Sequence, residues 1–527
     1  MQRLSVFACT TFLALGTCVL SVEARAQSVM VTTGSGAVIG QSQRGVDTFL
    51  GIPYAAPPVG ALRFQPPTPA TRWQQPRPAD HFGAACPQTS TLGTPSTNED
   101  CLTLNVYRPS VSTQGRPVLV FFYGGSFRYG DAGVAPGGNG PDYTGNDIAR
   151  RIGAIVVTVN YRLGALGFLA APALDNENAH HVSGNYGLLD QQAALRWVAS
   201  NARAFGGDPK NVTVFGQSAG ALSIVDQMVS PGAAGLFERV QLQSAGSLAT
   251  AKLASAEKQD ESIVDEVGCA NADDVAACLR QVPVSTFLTA AGGAIGPNVD
   301  GFVLPTEPQD ALASGAFSHV PVIEGSNLDE GTYFIAQFTS TIGHDVTLNN
   351  ANAILVNAFG KTNANAIATE YALGQNATPG QTLSSILTDE FFSCPAYNLR
   401  ETLQYQVPVI EYEFSQPDPV YDYPVPQVSS IVDGDAHTTE LAYFFGHDGA
   451  GNALSGTNRW LSESMMDGLG MYARYGQAPG VFPGPGNTAG SAAVIELRSP
   501  IDISSNFSGR HRCDFWRGLG SPTVLLP

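Results

Sequence analysis

Ser218 stands in Gly216-Gln217-Ser218-Ala219-Gly220, directly after the apolar run 212–215 and ahead of a helix-like stretch over 221–229. A strand, then G-x-S-x-G, then a helix makes a turn so tight that the central serine is strained, and only small residues two positions to either side let strand and helix approach. A serine hydroxyl alone is a weak nucleophile. It needs a histidine base oriented by a carboxylate, and in this kind of turn the chain order is Ser, acid, His, so both partners must lie beyond Ser218. His319, His344, His437, His447 and His511 lie downstream. His437 is the best placed, in the loop opened by Asp433-Gly434-Asp435-Ala436 after a strand, because catalytic groups come disproportionately from loops at strand ends. On spacing alone His447 and His511 still compete. For the acid, the strand-like run ending in Glu324 leads to Asp329 and Glu330, and physics alone does not choose among the three carboxylates. Phe121-Phe122-Tyr123-Gly124-Gly125-Ser126-Phe127 also follows a strand and has the form of a Gly-rich oxyanion loop, with the backbone N–H groups of Gly125, Ser126 and Ala219 as donors. Together these groups would carry out acyl transfer through a covalent acyl-serine.

The elements that position them follow from the patterning. Short apolar, β-branched runs at 118–123, 155–161, 212–215, 240–243, 320–324 and 407–414 alternate with helix-like segments, the signature of an α/β fold in which a large, mostly parallel sheet is flanked by helices. Asp190 is expected to cap a helix that continues through Ala194, Leu195, Trp197 and Val198. The region before 118 is rich in Pro and Gly, with strand-like pieces such as 28–39, and reads as an antiparallel N-terminal part. The Gly- and Pro-rich stretch 131–145 must be loop.

Composition narrows the partners. Of 527 residues, 43% are hydrophobic and 14% charged, enough for a sizeable core, and 27 Lys and Arg stand against 45 Asp and Glu, a formal net charge of -18. With that balance and no basic cluster, nucleic acid is excluded as a partner. Arg3, an apolar run from Val6 to Leu20 and Ala24-Arg25-Ala26 read as a cleaved export signal, with the mature chain from Gln27 forming one domain, 27–527, secreted or periplasmic and without a membrane span. Cys9 and Cys18 leave with that signal. The remaining six cysteines argue for disulfides, and short separations favour Cys86 with Cys101 and Cys269 with Cys278, leaving Cys394 with Cys513. The absence of any Cys-x-x-Cys or His-x-x-x-His spacing argues against a metal site, and the chemistry above needs no cofactor.

Several stretches together resemble the type-B carboxylesterase and cholinesterase family of α/β-hydrolases, from about Gly34 to Trp516: Phe49-Leu50-Gly51-Ile52-Pro53-Tyr54-Ala55, Glu99-Asp100-Cys101-Leu102-Thr103-Leu104-Asn105-Val106, and Phe205-Gly206-Gly207-Asp208-Pro209 leading to Gly216-Gln217-Ser218-Ala219-Gly220. The resemblance implies Glu330, ahead of Gly331, as the acid; His437, ahead of a short helix ending in Phe445-Gly446, as the base; the same three disulfides; and Ser244 as a support to the acid. It implies a secreted serine carboxylesterase acting on small-molecule esters. Three departures bear on the substrate. Ser126 stands where the family commonly has a third glycine. Gln217 stands where cholinesterases have glutamate and is a candidate substrate contact. The loop between Cys86 and Cys101 lacks the aromatic residue that choline esterases use, so choline esters are not expected substrates. Arg128 is a candidate contact for esters carrying a free carboxylate. Two other readings compete with the esterase: a lipase acting on long acyl chains, and a non-catalytic binding protein on the same scaffold.

Overall fold

The computed structural model describes residues 27–89, 93–133, 142–290, 295–423, 425–477 and 493–520. The expected export signal and part of the predicted 131–145 loop lie outside them. Among the described residues, thirteen strands form one sheet. In chain order, and counting a separate short pair, the strands are β1 (Gln27–Thr33), β2 (Gly36–Gln43), β3 (Val46–Pro53), β4 (Arg77–Pro78), β5 (Thr103–Pro109), β6 (Arg116–Phe122), β7 (Ile155–Val159), β8 (Gly207–Gln217), β9 (Arg239–Gln243), β10 (Ala251–Lys252), β11 (Asn298–Val299), β12 (Val322–Asn327), β13 (Val409–Phe414), β14 (Val494–Leu497) and β15 (Asp502–Ser504). The sheet runs β1-β2-β3-β5-β7-β6-β8-β9-β12-β13-β14-β15 with β4 beside β2, while β10 and β11 make the separate pair.

The first part is antiparallel, from β1 through β2, β3 and β5 to β7. From β7 through β6, β8, β9, β12, β13 and β14 every pairing is parallel. Sequence explains the change. Strands β7, β12 and β13 are buried at every position, as expected where helices cover both faces, whereas β1 alternates between exposed and buried residues near its end. The predicted strands at 118–123, 155–161, 212–215, 240–243, 320–324 and 407–414 all fall on observed strands, with bounds shifted by a few residues.

One expectation fails. Asp190 does not cap its helix, which spans Tyr186–Asn201 and places Asp190 a turn inside. Its carboxylate is instead gripped by Arg162, which donates Nε to Oδ2 at 2.7 Å and Nη2 to Oδ1 at 2.8 Å, both side chains being buried. An acid inside a helix is held by the charge it pairs with, and the pairing partner lies on a different element, so local spacing could not reveal it.

Disulfides join Cys86 to Cys101, Cys269 to Cys278 and Cys394 to Cys513. One buried apolar cluster extends from Val31 to Trp516 on both sides of the sheet, and a smaller one, containing Phe64, Leu279 and Phe287, packs around Cys269. Among the described residues, no helix is long and apolar enough to cross a membrane, and no cluster of His, Cys, Asp and Glu could hold a metal ion.

Candidate active site

The residues singled out by their chemistry converge on the carboxyl ends of the parallel strands, where open α/β sheets gather their ligand-binding groups. Strand β8 ends at Gln217, Ser218 follows, and the helix Ala219–Val229 begins at once. Ser218 takes φ 55° and ψ −126°, a strained conformation for a residue with a side chain. The flanking glycines permit it. A Cβ at Gly220 would stand 2.0 Å from the Phe122 carbonyl oxygen, and one at Gly216 would stand 2.7 Å from the same atom.

Beyond β6, Gly125, Ser126 and Phe127 all have positive φ, and the Gly125 carbonyl accepts from the N–H groups of Arg128 and Tyr129. The loop therefore curls back on itself. Neither the Gly125 nor the Ser126 N–H donates to a carbonyl among the described residues, and the Ala219 N–H, first in its helix, has no partner within that helix. Ser126, Ser218 and Ala219 line the same cavity, of about 650 Å³.

Strand β12 ends at Asn327, and Glu330 follows, fully buried, at the start of the helix Gly331–Ile342. Glu330 accepts from the Asn327 N–H at 2.7 Å through Oε1, and its Oε2 lies 2.5 Å from His437 Nδ1. Asp329 turns the other way, accepting from the Asp435 N–H, so of the adjacent pair only Glu330 meets the imidazole. His447 and His511 are elsewhere: His447 lies beside Asp142 and Thr144, and His511 sits between Asp389 and Glu413. Phe334 and Phe392 pack against His437, with ring centroids 5.0 and 4.9 Å from that of the imidazole.

Three contacts differ from expectation. Gln217 does not line the cavity. Its side-chain amide donates to His437 Nε2 at 3.1 Å, while Nδ1 donates to Glu330, so both ring nitrogens are engaged and Ser218 Oγ makes no hydrogen bond among the described residues. Ser244, expected to support Glu330, donates its hydroxyl instead to Glu440 Oε1, at 3.5 Å. Arg128 also lies off the cavity lining. Its charge acts on Asp260, whose carboxyl burial pushes up to about 6 against the opposing Ala170 N–H and Arg128.

Sequence reasoning passed over two acids. Glu440, three residues after His437 and fully buried, accepts from Asn327 Nδ2 at 2.5 Å. Burial and the neighbouring Glu330 push its carboxyl up to about 8. Asp226, in the helix that follows Ser218, faces the cavity. Its being the one charged residue in the segment Ala219–Val229 was the available signal for it.

A mixed sheet of this strand order, with a strained serine between strand and helix and a carboxylate–imidazole pair on the neighbouring strand ends, defines an α/β-hydrolase. The chain belongs to the carboxylesterase family, whose sequence profile matches residues 27–512. It is 41% identical over 312 residues to fumonisin B1 esterase of Sphingopyxis macrogoltabida, a match covering 57% of this chain and 56% of that one. It is 35% identical over 402 residues to para-nitrobenzyl esterase of Bacillus subtilis (strain 168), covering 73% and 78%. A solved structure of PNB esterase superposes with a TM-score of 0.76 at 31% identity, covering 92% of this chain and 98% of that chain.

Proposed function

We propose that this chain is an exported serine carboxylesterase that hydrolyses small-molecule esters through Ser218, His437 and Glu330 without a cofactor. The observation that carries the reading is the 2.5 Å contact between Glu330 Oε2 and His437 Nδ1, made at the strand ends that also present Ser218. His437 exchanges the Gln217 amide for Ser218 Oγ and takes its proton as the oxygen attacks the ester carbonyl. Glu330 holds the imidazole in the required tautomer and stabilises the imidazolium. The N–H groups of Gly125, Ser126 and Ala219 hold the oxyanion, the alcohol leaves with the proton from His437, and water activated by the same histidine releases the acid from the acyl-serine. Export is supported by the N-terminal sequence and by three disulfides, which persist in oxidising compartments.

The test is hydrolysis of a p-nitrophenyl ester series from acetate to palmitate. Rates should peak at short chains and fall by at least about a thousandfold in Ser218→Ala. Glu330→Gln, which keeps the shape and removes the charge, should lower kcat by about ten-thousandfold. A peak at palmitate would favour a lipase. No turnover of any ester by the wild-type chain would move the weight to a binding protein.

A further inference from the structure

The cavity beside Ser218 holds a charge pattern that the triad does not use. One wall is the nucleophile's own helix, which presents Ala219, Leu222, Val225 and Asp226 at helical spacing. Eight residues at helical rise place Asp226 about 12 Å along the helix from Ser218. Leu222 and Val225 stand between the two on the helix, and Leu248 and Phe391 add to the apolar part of the lining. At the far end Asp226 is only 4% exposed, and its carboxyl has no hydrogen-bond or ion-pair partner among the described residues. Burial, with Glu307 nearby, pushes that carboxyl well above the usual range. Glu307 also lines this cavity and accepts from the Thr250 N–H. Among the described lining residues there is no Lys, Arg or His, so two acidic side chains close enough to feel each other line this cavity with no cation beside them in the lining.

An unpartnered acid at the end of an apolar cavity costs stability unless something charged or hydrogen-bonding meets it there. A second carboxylate beside it selects among visitors. An arriving ammonium favours the ionised form of both acids and so lowers the carboxyl that burial raises, whereas an anion gains nothing from either. We infer that Asp226, with Glu307, forms a recognition subsite for a protonated amine carried on the ester substrate, about 12 Å along the helix from Ser218. This inference rests on the esterase reading and names its substrate class: amphiphilic esters with an apolar chain between the carbonyl and an ammonium group. It reverses the polarity expected from Arg128, since the charged groups among the described lining residues are acids.

The experiment compares kcat/KM for three p-nitrophenyl esters of matched length: ω-aminooctanoate, its methyl-terminated isostere nonanoate, and the mono-ester of azelaic acid. Ratios within one preparation do not depend on how much of it is folded, so a variant that folds poorly still gives an answer. The wild type should prefer the amine over nonanoate by about tenfold and should disfavour the azelate, and Asp226→Asn should bring the amine-to-methyl ratio toward one. A wild-type ratio at or below one, or a ratio unchanged in Asp226→Asn, overturns the subsite. If none of the esters is turned over, the esterase reading fails separately, and calorimetry decides the subsite. Ser218→Ala should bind n-octylammonium more tightly than n-octanol, with the difference lost on adding Asp226→Asn; equal affinities would refute it.

Discussion

Glu330 and Glu440 are buried around one asparagine. Asn327 gives its backbone N–H to Glu330 and its side-chain amide to Glu440. Two like charges in so small a volume repel, and Glu440 is the one held neutral, its carboxyl pushed up to about 8 by burial and by Glu330. The unfolded chain ionises this carboxyl near the ordinary 4.5, whereas the folded chain keeps its proton until about 8, so the wild type loses stability as pH rises through that window. Glu440→Gln keeps the acceptor for Asn327 and removes the titration. Its Tm relative to wild type should therefore climb between about pH 5 and pH 8. A difference that stays constant across that range would show that Glu440 does not bury a proton. The same two carboxylates mark a limit of the sequence. His437 and Glu330 could be named from strand-end motifs, but Glu440 and Asp226 look like ordinary helix acids until the packing shows where each one points.

The turn at Ser218 was legible because its demands are local: a β-strand before it, a helix after it, and glycines where the backbones cross. The approach of 2.0 Å between a Cβ at Gly220 and the Phe122 carbonyl means that the close crossing joins β6 to the helix that follows Ser218. Gly220→Ala should push these elements apart, lowering stability by at least about 2 kcal/mol and kcat along with it, as urea unfolding and p-nitrophenyl acetate turnover would record. Retained stability with lost activity would confine the damage to the site. Asp190 shows where local reading stops. Its partner Arg162 lies on another element, outside the reach of any helical periodicity, and it also donates its backbone N–H to Asp190 at 3.1 Å. Removing one member of a buried pair leaves the other uncompensated, so Asp190→Ala should cost roughly 3–5 kcal/mol in denaturant unfolding, while Asp190→Ala with Arg162→Met should recover part of it. No recovery in the double variant would assign the loss to packing.

The alternation of strands and helices, with an antiparallel beginning and a parallel stretch from β7 to β14, could be read from the apolar runs, because one-faced and two-faced burial leave different patterns. Of the way the chain's last part closes onto the rest, the Cys394–Cys513 pairing was legible and the buried ion pairs beside it were not, since no local spacing points His511 to Asp389, 122 residues away. Cys513 is bonded to Cys394, and just before it His511 lies 2.6 Å from Asp389 through Nδ1 and 2.6 Å from Glu413 through Nε2. Arg510 meets Glu413 and Glu496, and Trp516 donates to the Tyr371 hydroxyl, which in turn donates to Asp389. Burial opposes charge on His511, but the bonds to the two carboxylates outweigh it and raise the imidazole to about 9 from its ordinary 6.5. A raised histidine contributes its stability fully below about 6.5 and loses it as pH climbs through about 9. A shift of this size corresponds to on the order of 3 kcal/mol. His511→Gln, which cannot carry the charge, should therefore be less stable than wild type by a few kcal/mol at pH 6, with the gap closing toward pH 10. Urea unfolding with the disulfide intact measures it. A gap of the same size at both ends would mean that His511 holds the closure by shape, whereas a gap that closes would make the C-terminal segment a charge-dependent clasp across β13.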